Sequence, residues 1–347
     1  MFQMVLQAYG FDQRSLIVES FGSGLINNTW KVSDRGNEFI LQRINTTVFK
    51  DPSAIAHNIG LIATYLGERF PGYTFMAPVT TKGGDQMVFI EGEGYFRLFP
   101  FAKDSHSKDV VETPQQAYEA AVQFGRFSKL LSGLDTAQLQ TTIPSFHDLE
   151  LRYEQFLEAL KTGNAVRREQ ANEQVDTLRA HSGIVEDYRN IVNNPAFKLR
   201  VTHHDTKISN VLFNSRGEGL CVIDLDTVMP GYFISDVGDM MRTYLCPVSE
   251  EECDFSKIVI RDSYYEAIVE GYYSEMKDHL TPTEKQYFFY AGKFMIYMQA
   301  LRYLTDYIND DRYYGARYPA HNLVRTINQI TLLEALMQKQ HRLQKLL

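Results

Sequence analysis

Cysteine, tryptophan, long apolar runs and clustered charge of one sign are all scarce here, and each scarcity closes a class of function. The three cysteines, Cys221, Cys246 and Cys253, show no CxxC spacing and are too few for a disulfide framework. Free thiols in a reducing compartment are the expectation. Residues 1–10 lack the basic and apolar regions of a secretory leader, so the expected location is cytoplasmic. The most apolar window, residues 288–304, is broken by Lys293 and Arg302 and reads as a buried core helix, which leaves no membrane partner. The nearest approaches to a basic run, Arg167-Arg168 and residues 339–345, read as solvated helix faces. With 35 basic against 43 acidic residues, a net charge of −8, a nucleic-acid partner is not expected. A small anion such as a nucleotide remains open, because a metal ion and a few local cations suffice to balance its phosphates.

A hydrophobic share of 44 % with 22 % charged residues is an ordinary globular balance and excludes disorder of the whole chain. At 347 residues the chain exceeds the size at which one core stops growing, so one large domain or two lobes are expected. Up to about residue 100 the pattern is strand-rich. The turn-like Phe21-Gly22-Ser23-Gly24 precedes a short strand at 29–32, a turn at 34–37 and a second strand at 39–44, a hairpin signal. Ile55, Ile59, Ile62 and Leu66 give 52–66 helical periodicity. Two more strands, 87–90 and 95–99, flank the Gly92-Glu93-Gly94 turn. Beyond Pro100 the chain turns helical. Thr113-Pro114 opens one helix, residues 149–180 read as charged helix, and Thr281-Pro282-Thr283-Glu284 is a capping box that opens a long apolar helix. The expectation is an α+β chain with a small β-rich lobe over 1–100, a larger mostly helical lobe over 101–347 and a hinge near 97–103. One hairpin interrupts the helices, with short apolar runs at 211–213 and 220–223 around a turn at 214–219.

Chemistry-bearing residues sit at both ends of that hairpin. Counted from Gly217, Asn210 lies seven residues before and Asp224 seven after, so an antiparallel pairing sets them side by side. Asp205 lies five residues before Asn210. Two carboxylates and an amide oxygen suit a hard cation such as Mg2+, which keeps waters and shares substrate phosphates. The order His203-x-Asp205, four residues, Asn210, hairpin, Asp224 matches the catalytic loop of phosphoryl transfer. In that template Asp205 accepts the proton of the attacking hydroxyl, and Asn210 and Asp224 hold the metal. Taken singly, each fragment is commonplace: a His-x-Asp occurs by chance, and an Asp-x-Asp often just ends a strand. It is the joint order and spacing that points to catalysis. Asp236-Val237-Gly238-Asp239 reads as a helix start with a structural acid, one that in kinase-like folds braces the catalytic loop.

Residues 203–213 with 222–231 resemble the aminoglycoside phosphotransferase and choline kinase superfamily. The His-x-Asp-Thr-Lys-x-x-Asn-Val-Leu and Val-Ile-Asp-Leu-Asp-Thr-Val-Met-Pro-Gly stretches look most like its N-acetylhexosamine 1-kinase branch. Residues 22–29, 40–45 with 48–52, 302–307 and 311–314 fit that branch as well. The resemblance implies a protein-kinase-like two-lobed fold. It also implies transfer of the ATP γ-phosphoryl group, with Mg2+, to the anomeric hydroxyl of N-acetylglucosamine or N-acetylgalactosamine. Carried over, Asp205 is the base and Lys207 neutralises the transferring phosphoryl. Gly22, Gly24, Asn28 and Thr29 form the glycine loop over the nucleotide, and the backbone of the hinge, Arg97, Phe99 and Phe101, meets adenine. Arg43 is the candidate phosphate cation, with Gln42 on the opposite strand face as its rival. For the sugar, Arg302 and Asp306 share a helix face at i and i+4, a spacing that a plain ion pair also explains, and Tyr314 with Tyr313 packs on the ring.

Three positions depart from the resemblance: Leu25 where many relatives have His, His57 where the partner carboxylate of the phosphate cation is expected, and His204 between His and Asp. They leave open a kinase of another acceptor (an amino alcohol, homoserine or an aminoglycoside) and, further off, a catalytically silent nucleotide-binding protein.

Overall fold

The structure is a computed structural model that describes residues 1–11, 16–22 and 26–346. Gly24 and Leu25 lie outside the described residues. In chain order the elements are α1 (Phe2–Ala8), β1 (Ile17–Ser20), β2 (Asn28–Asp34), β3 (Asn37–Arg43), α2 (Pro52–Arg69), β4 (Val88–Ile90), β5 (Gly94–Pro100) and α3 (Pro114–Leu130). There follow α4 (Leu149–Thr162), α5 (Ala165–Gln170), α6 (Asn172–Ala180), α7 (Gly183–Val192), β6 (Arg200–Thr202), β7 (Val211–Phe213), β8 (Gly219–Val222) and β9 (Met229–Gly231). The chain ends with α8 (Phe233–Tyr244), α9 (Asp262–Met276), α10 (Pro282–Lys285), α11 (Phe288–Ile308), α12 (His321–Gln338) and α13 (Gln340–Leu343). An antiparallel five-stranded sheet with a largely helical remainder is the α+β class expected.

Two compact units emerge. The first gathers Met1–His106, Leu130–Pro144 and Leu212–Pro230, and the second takes Ser107–Lys129, Ser145–Val211 and Gly231–Leu347. In the first, the sheet runs β1-β2-β3-β5-β4. The β2–β3 turn uses Arg35 and Gly36, both with positive φ, the pair of dihedrals that lets a two-residue hairpin follow the strand twist. Leu41 pairs with Leu98, and together with Val32 and Phe96 they bury one sheet face beneath Val5 and Leu6 of α1 and Tyr9 just after it. Neighbouring positions alternate faces, so Gln42 and its partner Arg97 point to the other side. The hairpin of β7 and β8 also forms as expected.

The second unit is built on α11, which packs against α4, α8 and α12. Its approach to α8 is close. A Cβ on Gly238 would stand 2.4 Å from the Ala291 carbonyl oxygen, and one on Gly292 would stand 2.9 Å from the Met241 sulfur. The capping box at Thr281 and Glu284 forms, but it opens only the single turn of α10, and the long apolar helix begins afresh at Phe288. The reason is Glu284, which is fully buried and gripped by the Arg200 guanidinium at 2.6 and 2.7 Å. Residues 149–180 likewise divide into three helices, α4 to α6. Gly163 lies against Ile308, where no side chain fits, and Asn164 caps the next helix through the amides of Val166 and Arg167.

Candidate active site

Asp205 sits in the loop after β6, and that loop is held from beneath by α8. The Asp236 carboxylate accepts the amides of His204 at 2.8 Å and His203 at 3.1 Å. Asp239 accepts the amide of Thr206 at 2.8 Å, and the Tyr244 hydroxyl donates to the Thr206 carbonyl at 2.5 Å. His203 is wholly buried, edge-on to Phe124 at 5.2 Å. These clamps hold His204 at φ +66, a left-handed conformation that an L residue adopts only when its surroundings impose it. A Cβ on Gly231 would meet the His204 ring at 2.5 Å, so the ring fills the space that glycine leaves. Burial pushes the Asp236 carboxyl up to about 7 against the pull of its two amide bonds, and burial also raises Asp239. The brace expected of the 236–239 segment is observed.

The Asp205 carboxylate lies 3.1 Å from the Lys207 ammonium and is partly open to solvent. The Asn210 side chain donates its amide N–H to the Asp205 carbonyl at 2.8 Å, which fixes its rotamer. Asp224 lies two residues past the end of β8 at φ +59, left-handed like His204. Among the described residues no three His, Cys, Asp or Glu side chains gather as a metal cluster. Mg2+ takes carboxylate and amide oxygens together with waters and phosphates and needs no such cluster, so Asp224 and Asn210 are each of a donor type that it accepts.

In the first unit, the cation on the Gln42 side of the sheet comes from β5. Arg97 is buried, pairs with the Asp226 carboxylate and donates to the Gln42 side-chain oxygen at 2.8 and 3.1 Å. Asn27 donates to the other Asp226 oxygen at 2.7 Å. Arg43, expected to supply the phosphate cation, lies on the opposite strand face, where it is 3.6 Å from Glu93 and about four-tenths exposed. Asn28 and Thr29 pair with Arg43 and Gln42 across the hairpin, and Gly22 takes φ +78, with nothing among the described residues within 4 Å of where a Cβ would stand. Of the hinge, Arg97 and Phe99 belong to β5, and the Phe101 amide donates to the Glu38 carbonyl. On α2, His57 is exposed and meets the Gln138 carbonyl at 2.8 Å. The next residue, Asn58, is buried, donating to the Gln140 and Val228 carbonyls and accepting from the Gln140 amide.

The residues expected to meet a sugar lie in the second unit, and the plain ion pair that would also explain the Arg302 and Asp306 spacing is absent among the described residues. Asp306 is buried and spends its oxygens on the amides of Tyr313 (2.7 Å) and Tyr314 (2.9 Å) and on Asn322 (3.1 Å), so it shapes the loop after α11. Arg302 instead spreads over the rings of Tyr313, Tyr314 and Phe146 at 5.4 to 5.9 Å. The Tyr314 hydroxyl accepts from Gln299, and burial raises its pKa. His147, which the sequence did not single out, stacks on Phe146 at 4.4 Å and meets His204 at 3.3 Å between Nδ1 atoms. Burial, then the neighbouring His204 and three arginines, hold His147 well below the usual imidazole range, so it is neutral at pH 7. No spacing rule links residues 147 and 204. The Asp226 partner was visible as the second acid of Asp-x-Asp, whereas Arg97 had been read only for its backbone.

Residues 17–273 match the APH family, described as phosphotransferase enzymes. Among solved structures the chain is similar to an aminoglycoside phosphotransferase from Alicyclobacillus acidocaldarius, at 14 % identity and TM-score 0.64, covering 97 % of this chain and 95 % of that one. An amicoumacin kinase in complex with AMP-PNP and Ca2+ matches at 15 % identity and TM-score 0.64, over 96 % and 93 % of the two chains. A microcompartment-associated aminopropanol kinase matches at 17 % and 0.62, over 99 % and 98 %. At these identities the neighbours speak for a shared fold, and the family match carries the assignment: the chain belongs to the APH phosphotransferase enzyme family.

Proposed function

We propose that the chain is an ATP- and Mg2+-dependent kinase of a small hydroxyl-bearing molecule, with the anomeric hydroxyl of an N-acetylhexosamine (N-acetylglucosamine or N-acetylgalactosamine) as the favoured acceptor and the sugar 1-phosphate as product. The observation that carries it is the clamped loop: Asp205 beside Lys207, cross-braced by Asn210 and held by Asp236 and Asp239. Asp205 accepts the proton as the acceptor oxygen bonds to the γ-phosphorus and the bond from that phosphorus to the bridging oxygen breaks, releasing ADP. Lys207 offsets charge on the transferring group. Asn210 and Asp224 would each offer an oxygen to Mg2+, which would supply charge neutralisation for the phosphates. The nucleotide belongs with Gly22, Gly24, Asn28, Thr29 and Arg43 and the backbone of Arg97, Phe99 and Phe101. Arg302 and Tyr314 meet the acceptor, and Asp306 positions Tyr313 and Tyr314. The preference for an N-acetylhexosamine rests on the sequence resemblance. The similar structures named for aminoglycoside and aminopropanol substrates support a second reading, an amine-bearing acceptor.

Asp205→Asn tests the assignment. Without its base the variant should retain its fold, by circular dichroism, and lose about 10²–10⁴-fold in kcat with ATP, Mg2+ and N-acetylglucosamine. Turnover equal to the parent would remove Asp205 from the mechanism.

A further inference from the structure

Around the residues proposed to meet the acceptor in the second unit, four carboxylates are already committed. Asp236 and Asp239 hold the catalytic loop, Glu250 is shared by Arg242 and Arg325, and Asp306 holds the 313–314 backbone. Two guanidinium groups are left over. Among the described residues Arg302 bonds only to the neutral Gln299 and Tyr313 side chains, each at 3.4 Å, a weak pair of contacts for a cation. Arg152 binds the carbonyls of Ser145 and Phe146 and the Gln155 side chain, and its Nε is buried with no hydrogen-bond partner. Neither arginine makes an ion pair among the described residues. Both lie close enough to His147 to lower its pKa, and burial followed by Arg302 lowers that of Arg152. The surplus charge is continuous with the base: His204 adjoins Asp205 in the chain, meets His147, and His147 stacks on Phe146 beneath Arg302.

A cation left among aromatic rings is a poor neighbour for a second cation and a good one for an anion, and the planar fork of arginine matches a carboxylate with two parallel hydrogen bonds. Resting on the kinase reading above, we propose that the N-acetylhexosamine acceptor is a uronic acid, its carboxylate read by Arg302 with Arg152 behind it, and that this face rejects amine-bearing acceptors. Arg302 is the specificity-determining residue. Arg152 is a positioning residue, through the 145–146 carbonyls that set Phe146 and His147. Of the two acceptor classes left open above, this excludes the amino alcohols and aminoglycosides.

Three acceptors of one ring shape decide it: N-acetylglucosamine, its C6 uronic acid and glucosamine, compared by ADP release with ATP and Mg2+ and by product phosphate. One charge-assisted hydrogen bond to an ionised group is worth about tenfold to a hundredfold in kcat/KM, so the uronic acid should exceed N-acetylglucosamine by at least that lower figure, with glucosamine below both. In Arg302→Gln the ratio of uronic acid to N-acetylglucosamine should fall toward one, and in Arg302→Lys, which keeps charge but not the fork, it should lie between. If either variant fails to fold, the parent's ranking still decides. Glucosamine turned over as well as the uronic acid, or equal use of the uronic acid and N-acetylglucosamine, overturns the charge reading and leaves the kinase standing. Acceptor-dependent ADP release with none of the three takes both down.

Discussion

At the scale of single residues, order and spacing single out the groups proposed to react, while their supports stayed hidden. Asp205, Asn210 and Asp224 were legible because a loop and a hairpin fix their separations along the chain. Arg97, His147 and Asn58 were not, because their partners lie far off in sequence and nothing local distinguishes a buried arginine on a strand from an exposed one. Asp236 lies between these cases, since its place on α8 was legible and its burial was not. That burial has a thermodynamic consequence. With the carboxyl raised from 3.8 to about 7, the folded chain holds a proton that the unfolded chain releases. The contribution to stability is therefore full below pH 3.8 and is lost as pH rises toward about 7. In Asp236→Asn the amide cannot accept both backbone N–H groups equally, so overall stability falls, but this particular slope disappears. Urea unfolding of parent and variant between pH 4 and pH 7 measures the difference. Parallel curves would show that Asp236 does not titrate there.

At the scale of elements, local rules found the strands and caps and misplaced helix ends wherever a tertiary contact intervened. The hairpin at Arg35-Gly36 and the start of α3 at Pro114 follow from turn and capping chemistry alone. The capping box at Thr281 was equally legible, yet the break before Phe288 depends on the Arg200–Glu284 pair, which no local rule anticipates. β1, with four residues and little burial, and α1, with seven, were too short to carry a period. The α8–α11 contact links such packing to chemistry, since α8 carries Asp236 and Asp239 on the turns that include Gly238. With a Cβ at Gly238 only 2.4 Å from the Ala291 carbonyl oxygen, Gly238→Ala must push the helices apart. Overpacking of this kind costs about 1–3 kcal/mol, and here it also shifts the brace under the catalytic loop. Thermal melts should show a lower midpoint, and kcat should fall more than KM rises. An unchanged midpoint would mean that α8 has room the structure does not show.

For the whole molecule, the length led to an expectation of one large domain or two lobes, with strand patterns concentrated in about the first hundred residues. Less legible was how later chain returns to that stretch, since residues 130–144 and 212–230 join its unit after long excursions. These returns supply what the sheet cannot. Asp226 neutralises Arg97, and Gln140 and Val228 satisfy the buried Asn58. In a fragment of residues 1–106 the Arg97 guanidinium would keep its place on the sheet face with only Gln42 as a partner. Leaving one member of a buried ion pair alone costs about 3–5 kcal/mol, and an unsatisfied buried amide adds about 1–3 kcal/mol. Those sums are comparable with the entire stability of a small domain. The fragment is therefore expected to lack a cooperative unfolding transition and dispersed amide resonances, while the full chain shows both. Adding Arg97→Met to the fragment removes the stranded charge, so it should recover part of the order. A fragment that is already folded with Arg97 in place would show that the returning segments decorate this unit and do not complete it.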